Sequence, residues 1–351
     1  MVRPHLGSPI RRLARRSDCM KIRVIPGQPH AFAFGGFDIQ MQRTLEVLQR
    51  LGVDAKPLDF WSRDSDFDIL HFWGFDPDQH LTTARFAKRY GKKIVLTPLV
   101  QYLTPRAYLR FAASWLEGAG RRRIALGKLV DRFLPVNELQ RETLIRLYRV
   151  SPLKIKIVPT MLDDGFFETS PTTVTGAAID NFVLCAGNIC ARKNQIRLAQ
   201  AAIATATPVL FAGDIMGGEE AYGDAFARLI APHPFLRWNK WMAVPELQSA
   251  YRAARAVALV SFEEQQPTIG LEAAALGKPL MLGRRPYARQ MFYRNAFLAE
   301  PASVREIGAG LKALLTESPR YTPPLAFVQE CRADRVGAEL KRVFESVTAE
   351  G

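Results

Sequence analysis

The chain has 351 residues, of which 48% are hydrophobic and 23% charged, with a formal net charge of +14. Those figures suit an ordinary soluble globular protein, long for one core and comfortable for two domains. No apolar run approaches the roughly 18–20 residues of a membrane span, and no apolar signal-peptide core is present.

The positive balance asks for an acidic partner: a phosphorylated donor, anionic lipid or nucleic acid. The basic residues are spread out and carry no nucleic-acid-binding motif, so no nucleic acid is expected. Cys19, Cys185, Cys190 and Cys331 lack metal-ligand spacing and the five histidines form no cluster. The thiols read as free in a reducing cytoplasm, and neither a metal nor another cofactor is expected.

Residues 1–19 hold five arginines and one aspartate and read as a basic, disordered extension or a membrane-touching tail. Met20 opens a better strand and is a second candidate start. Residues 21–26 read as a strand, 30–37 as a glycine-containing loop with Gly35 and Gly36, and 38–51 as an amphipathic helix. This opens a nucleotide-binding-like α/β unit, although the spacing is not that of a dinucleotide fingerprint. Strands follow at 54–58, 67–73 and 93–97, with a helix at 82–90. His71 sits in the third strand, near the edge where open α/β sheets bind ligands, or is a structural histidine.

Between 105 and 133, Arg106, Arg110, Arg121, Arg122, Arg123, Lys128 and Arg132 interleave with Tyr108, Leu109, Phe111, Trp115 and Leu116. Two readings stand: amphipathic helices on an anionic membrane, or a half-buried helix pair with a solvated basic face. A strand at 133–136, a helix at 138–148 and a strand at 154–159 complete the first half. Residues 170–176 have linker composition.

An apolar strand at 182–186 restarts the pattern. Gly187, Asn188, Arg192 and Lys193 follow in a loop that leads into a helix at 195–204. A glycine loop bearing cations at a helix start suits a diphosphate leaving group. Strand 208–212, helix 222–229, the segment Phe-Leu-Arg-Trp-Asn-Lys-Trp at 235–241 and helix 245–253 come next. Trp238 or Trp241 is available to stack on a base, or packs in the core.

The chain is organised around 256–282, read as strand, acidic loop, helix and strand. Thr268 is a candidate cap, and the amides of Thr268 and Ile269, at the positive end of the helix dipole, form a site for phosphate. Glu264 in the loop and Glu272 in the helix flank that site, where they suit hydroxyls on either side of a diphosphate. A short strand at 296–299, a helix at 304–315 and a helix at 327–347 finish the chain.

Glu264 and Glu272, preceded by Ser261 and followed by the Glu-Ala…Gly-Lys-Pro tail, resemble the Glu-x7-Glu signature of retaining GT-B glycosyltransferases of the glycosyltransferase family 4 type. The resemblance implies two Rossmann-like α/β domains facing across a cleft. It divides the chain into a basic extension at 1–19, an acceptor domain at 20–169, a linker at 170–181, a nucleotide-sugar domain at 182–322 and a terminal helix at 323–351 that crosses back.

It also implies transfer of a sugar, with retention, from a nucleoside-diphosphate-sugar to the hydroxyl of a glycan or lipid-linked acceptor by a hexosyltransferase. Glu264 would contact the donor sugar and Glu272 the ribose. Arg192 and Lys193 would neutralise the diphosphate, and Gly35-Gly36 would lie over the cleft. The family's Gly-Arg-x-x-x-x-Lys-Gly matches at Gly187 and Lys193, with Asn188 in place of the arginine and Arg192 beside the lysine. Val-Pro-Asn-Gly-x-Asp…Phe matches at Asp163 and Phe167, with Thr160 and Met161 departing. Thr-x-His after the fourth strand becomes Thr97-Pro98-Leu99, and Pro267 stands where relatives have glycine. These departures keep open a catalytically silent sugar-nucleotide-binding protein. A cytoplasmic place, with possible peripheral contact at the membrane's inner face, is the expected location, and polysaccharide biosynthesis the expected setting.

Overall fold

A computed structural model describes residues 19–31, 35–168, 181–265, 267–292 and 294–350. The basic extension lies outside these except for Cys19, as does the linker except for Asn181.

Two parallel sheets form, and their central strands are short runs rich in Val, Ile, Leu and Ala that are buried on both faces, as sheets covered by helices require, while the edge strands are partly exposed. The first contains β1 (Lys21–Ile25), β2 (Asp54–Pro57), β3 (Ile69–Trp73), β4 (Lys93–Thr97) and β5 (Arg132–Phe133), ordered β2-β1-β3-β4-β5. The second contains β6 (Val183–Ala186), β7 (Val209–Ala212), β8 (Leu236–Asn239), β9 (Ala256–Leu259), β10 (Leu280–Gly283) and β11 (Phe297–Ala299), ordered β11-β10-β9-β6-β7-β8. In each sheet the first strand pairs on both sides, β1 with β2 and β3, β6 with β7 and β9. The chain therefore reverses direction across the sheet beside β1 and beside β6, and crevices at such switch points are where these sheets take ligands.

Helices α1 (Gly36–Arg50), α2 (Pro77–Arg89), α3 (Pro105–Leu116), α4 (Ala119–Leu129) and α5 (Glu138–Arg146) accompany the first sheet. The second half carries α6 (Gln195–Thr205), α7 (Glu220–Ile230), α8 (Val244–Ala253), α9 (Thr268–Ala275), α10 (Pro286–Phe292) and α11 (Val304–Thr316). The last helix, α12 (Ala333–Ala349), buries Val336, Leu340, Val343 and Phe344 in the core of the first sheet. It approaches α1 so closely that a Cβ on Gly337 would lie 2.2 Å from Val47 Cγ1. Lys341 Nζ ties the same two helices by donating to Leu51 O at 3.0 Å.

Several boundaries differ from the sequence reading. α2 starts five residues earlier than the 82 expected, because Asp76 caps it by accepting from Asp78 N and Pro77 supplies its first turn. The strand expected at 154–159 shrinks to a bridge between Phe133 and Ile155, with Val158 N donating to Pro135 O. Pro135 and Pro159 have no N–H with which to extend a ladder. The helix expected over 327–347 is a 3₁₀ segment, Leu325–Cys331, followed by α12 after a break at Arg332.

Candidate functional site

The crevice between β6 and β9 is lined by the loops that leave their C-terminal ends. After β6 the backbone turns at Gly187 (φ +139°), whose N–H donates to Ala212 O at 2.7 Å. Gly213 (φ +142°), at the end of β7, packs against it, and a Cβ there would lie 2.4 Å from Gly187 O. Only glycine fits that approach.

Residues Ala191–Lys193 form a 3₁₀ turn, and Asn194 (φ +65°) then redirects the chain into α6. Asn194 is buried and donates its side-chain N–H groups to Val260 O at 3.0 Å and Pro301 O at 2.7 Å. Gln195, also buried, donates to Asn188 O and accepts from Cys190 N. These amides stitch the cationic loop to the end of β9.

That stitching brings the two loops into contact. Arg192 Nη1 donates to Glu263 O at 2.8 Å, and Arg192 O accepts from Phe262 N at 2.8 Å. Glu264 Oε1 lies 3.1 Å from both Arg192 Nη1 and Lys193 Nζ and accepts from Ser261 Oγ at 2.9 Å. Burial pushes the Glu264 carboxyl up, but Lys193, Arg192 and the hydrogen bonds outweigh it and hold it below the usual glutamate range. Two cations facing one carboxylate leave positive charge in the crevice, which suits a polyanion.

Helix α9 begins after Pro267 with no side-chain cap. Its first residues are Thr268 and Ile269, so the amides expected to meet phosphate stand at a helix N-terminus. Glu272, one turn on, is buried and accepts from Tyr251 Oη of α8. Burial pushes its carboxyl up, while Tyr251, Arg43, Lys193 and Thr268 pull it down, and the net direction is upward. Arg43 comes from α1, beside the first sheet, and also lies 3.8 Å from Asp163. Asp163 accepts in turn from Gln248 Nε2 and Gly165 N, both at 2.9 Å.

The structure thus brings Gly187, Asn188, Arg192, Lys193, Glu264, Thr268, Ile269 and Glu272 to one switch point. It does not bring His71 there. His71 is 0% exposed, accepts or donates at Nε2 to Thr97 Oγ1 at 2.8 Å and packs on Phe344 of α12. Burial drives its pKa down to about 3, so its ring is neutral and structural. Its position in mid-strand, beneath α12, replaces the ligand-edge place read from sequence.

Gly35 caps α1 with φ −158°, and a Cβ on Gly35 or Gly36 would meet nothing within 4 Å, so neither glycine is required by crowding. Trp241 is 77% exposed just past β8, while Trp238 is anchored by donating from Nε1 to Gly213 O at 2.8 Å.

Several residues around this crevice were missed in the sequence, Arg43 and Tyr251 among them. Asn194 and Gln195 follow Lys193 directly, and a polar pair at a helix start was a capping signal. Tyr102 had none. It follows Leu99 in the loop after β4 and is perturbed by Glu263 and Arg285 of the second half: burial and Glu263 push its hydroxyl up, and Arg285 pulls it down. Asn137 also crosses between halves, donating to Gln265 O at 3.2 Å.

Among solved structures, the chain superposes on Anabaena HepE in complex with UDP and glucose with a TM-score of 0.74 at 14% identity, covering 93% of this chain and all of that one. The chain has the GT-B fold. Sucrose-phosphate synthase from Thermosynechococcus elongatus shares it at a TM-score of 0.73 and 12% identity, over 94% of this chain and 100% of that one. UDP-GlcNAc 2-epimerase from Methanocaldococcus jannaschii matches at a TM-score of 0.58 and 12% identity, over 93% of this GT-B chain and 100% of its own. No family model and no curated sequence relative matches the chain. The GT-B fold therefore hosts a synthase and an epimerase alike, and the chemistry has to be argued from the site.

Proposed function

We propose that the protein transfers a sugar from a nucleoside-diphosphate-sugar to an acceptor hydroxyl. The observation that carries this is the meeting of Arg192, Lys193 and Glu264 within 3.1 Å at the switch point of the second sheet. Cations placed where a diphosphate departs stabilise charge that develops in the transition state. Glu264, held charged between them, accepts from donor-sugar hydroxyls in this reading, and Glu272 from those of the ribose. The HepE complex with UDP and glucose supports a nucleotide-sugar in a fold of this kind.

In the reaction the anomeric C–O bond to phosphate breaks and the acceptor oxygen bonds to the anomeric carbon. The acceptor proton passes to the departing phosphate on the same face, which gives retention. Leu99 stands half exposed where the resembled family's Thr-x-His pattern has histidine, and this favours a second reading, a sugar-nucleotide binder without turnover.

Calorimetric titration of UDP, GDP, ADP, CMP and their common sugars tests the site. One nucleotide family binds at micromolar strength, and Glu264→Ala, Glu272→Ala and Lys193→Ala each weaken it. Absence of binding, or variants that bind like the wild type, overturns the assignment. Release of nucleoside diphosphate in the presence of candidate acceptors separates transferase from silent binder.

A further inference from the structure

Helix α3 is turned the wrong way round for a solvated surface helix. Of its twelve residues only Ala107 is buried. Phe111 anchors the inner side against Tyr148, with ring centroids 5.3 Å apart. Leu109, Ala112, Ala113 and Leu116, spaced by three and four residues, share one face, and all four are exposed. Leu109 is 72% and Leu116 86% exposed, and Tyr108 and Trp115 on the flank are each 45% exposed. Single exposed leucines are common, but a contiguous apolar stripe on the outer face of a helix marks a docking surface.

The surrounding charge says what docks there. From Leu99 to Leu129 six side chains are basic and Glu117 is the one acid. Arg122 is engaged by Asp78 at 2.6 Å, and Arg123 donates to Phe75 O, but Arg106 and Arg121 are exposed and make no ion pair among the described residues. A predominantly basic rim repels a second copy of the same face and complements lipid phosphates.

We propose that the outer face of α3 seats the protein on an anionic lipid bilayer. Leu109, Trp115 and Leu116 enter the boundary between headgroups and acyl chains, and Arg106 and Arg121 engage the headgroups. Among the described residues no helix is long and apolar enough to cross a membrane, so this contact is a surface one. Thr104 caps α3 at the end of the loop that follows β4 and carries Tyr102. Docking therefore sets the loop after β4 beside the lipid surface. None of the side chains that meet the bilayer belongs to the donor site.

Co-sedimentation of the full chain with vesicles of phosphatidylcholine, alone and with phosphatidylglycerol, tests it. Binding appears with phosphatidylglycerol and weakens with salt. The Leu109→Ser/Leu116→Ser variant loses about tenfold or more in partitioning, as removal of buried methylenes requires. Arg106→Ser/Arg121→Ser loses the preference for phosphatidylglycerol. Both pairs are exposed, and matched circular dichroism and nucleotide binding show that the variants fold. Equal binding to uncharged vesicles, insensitivity to the leucine pair, or no vesicle binding overturns the proposal. So does concentration-dependent self-association that the leucine variant abolishes, which would make a second copy the occupant.

Discussion

Tyr251→Phe isolates the hydroxyl that holds Glu272. The ring stays packed edge-on against Phe166, with centroids 5.4 Å apart, so little shape is lost. What disappears is the donor to a buried carboxylate. A hydrogen bond to a charged group is worth about 1.5–3 kcal/mol, which is roughly tenfold to a hundredfold in the folding constant. The effect carries a pH signature. Burial already raises the Glu272 carboxyl above 4.5, and Tyr251 opposes that rise, so its loss raises the carboxyl further. A group whose folded pKa lies above its unfolded value binds its proton more tightly when folded. The stability it contributes is fully present below the unfolded pKa and is lost as pH rises through the folded one. The variant's deficit is therefore largest near neutral pH and above, and shrinks as pH falls toward 4.5. Urea unfolding followed by circular dichroism, from about pH 8 to about pH 5, measures it. The same substitution costs less in a Glu272→Gln background, where the acceptor is uncharged. A deficit that is constant with pH and unchanged in that background refutes the coupling.

Replacing Lys193 or Arg192 by Ala lowers the rate of donor turnover by roughly 10²–10³, as deletion of a transition-state donor does elsewhere, and steady-state kinetics reads it. Gly213→Ala places a Cβ 2.4 Å from Gly187 O at a φ of +142°, and costs about 1–3 kcal/mol or more of stability in urea unfolding. Asn194→Ala leaves the carbonyls of Val260 and Pro301 without their donor and costs about 1–3 kcal/mol per group, while its loosened cationic loop weakens nucleotide binding in calorimetry.

The residue types at Gly187, Lys193, Glu264 and Glu272 were legible because each is tied to local geometry: a strand end, a cationic turn, an acidic loop and a first helical turn. Short apolar runs bounded by glycine and proline made the strands legible for the same reason, since a strand buried on both faces has to be apolar throughout. Residues whose role depends on a distant partner were not legible. His71 lies in a strand like a ligand-edge residue, yet α12, more than 250 positions later in the chain, covers it with Phe344. Tyr251 looks like any core aromatic until α8 and α9 set its hydroxyl on Glu272.

The sequence by itself determined the two α/β halves and the loops that meet at the crevice beside β6, because hydrophobic period and turn residues act over a few neighbours. Tertiary structure alone decided which side chains reach the crevice and which sink into the core, and that the apolar face of α3 points outward. Those outcomes depend on packing between segments far apart in the chain, where burial and charge are set by whichever element arrives to cover them.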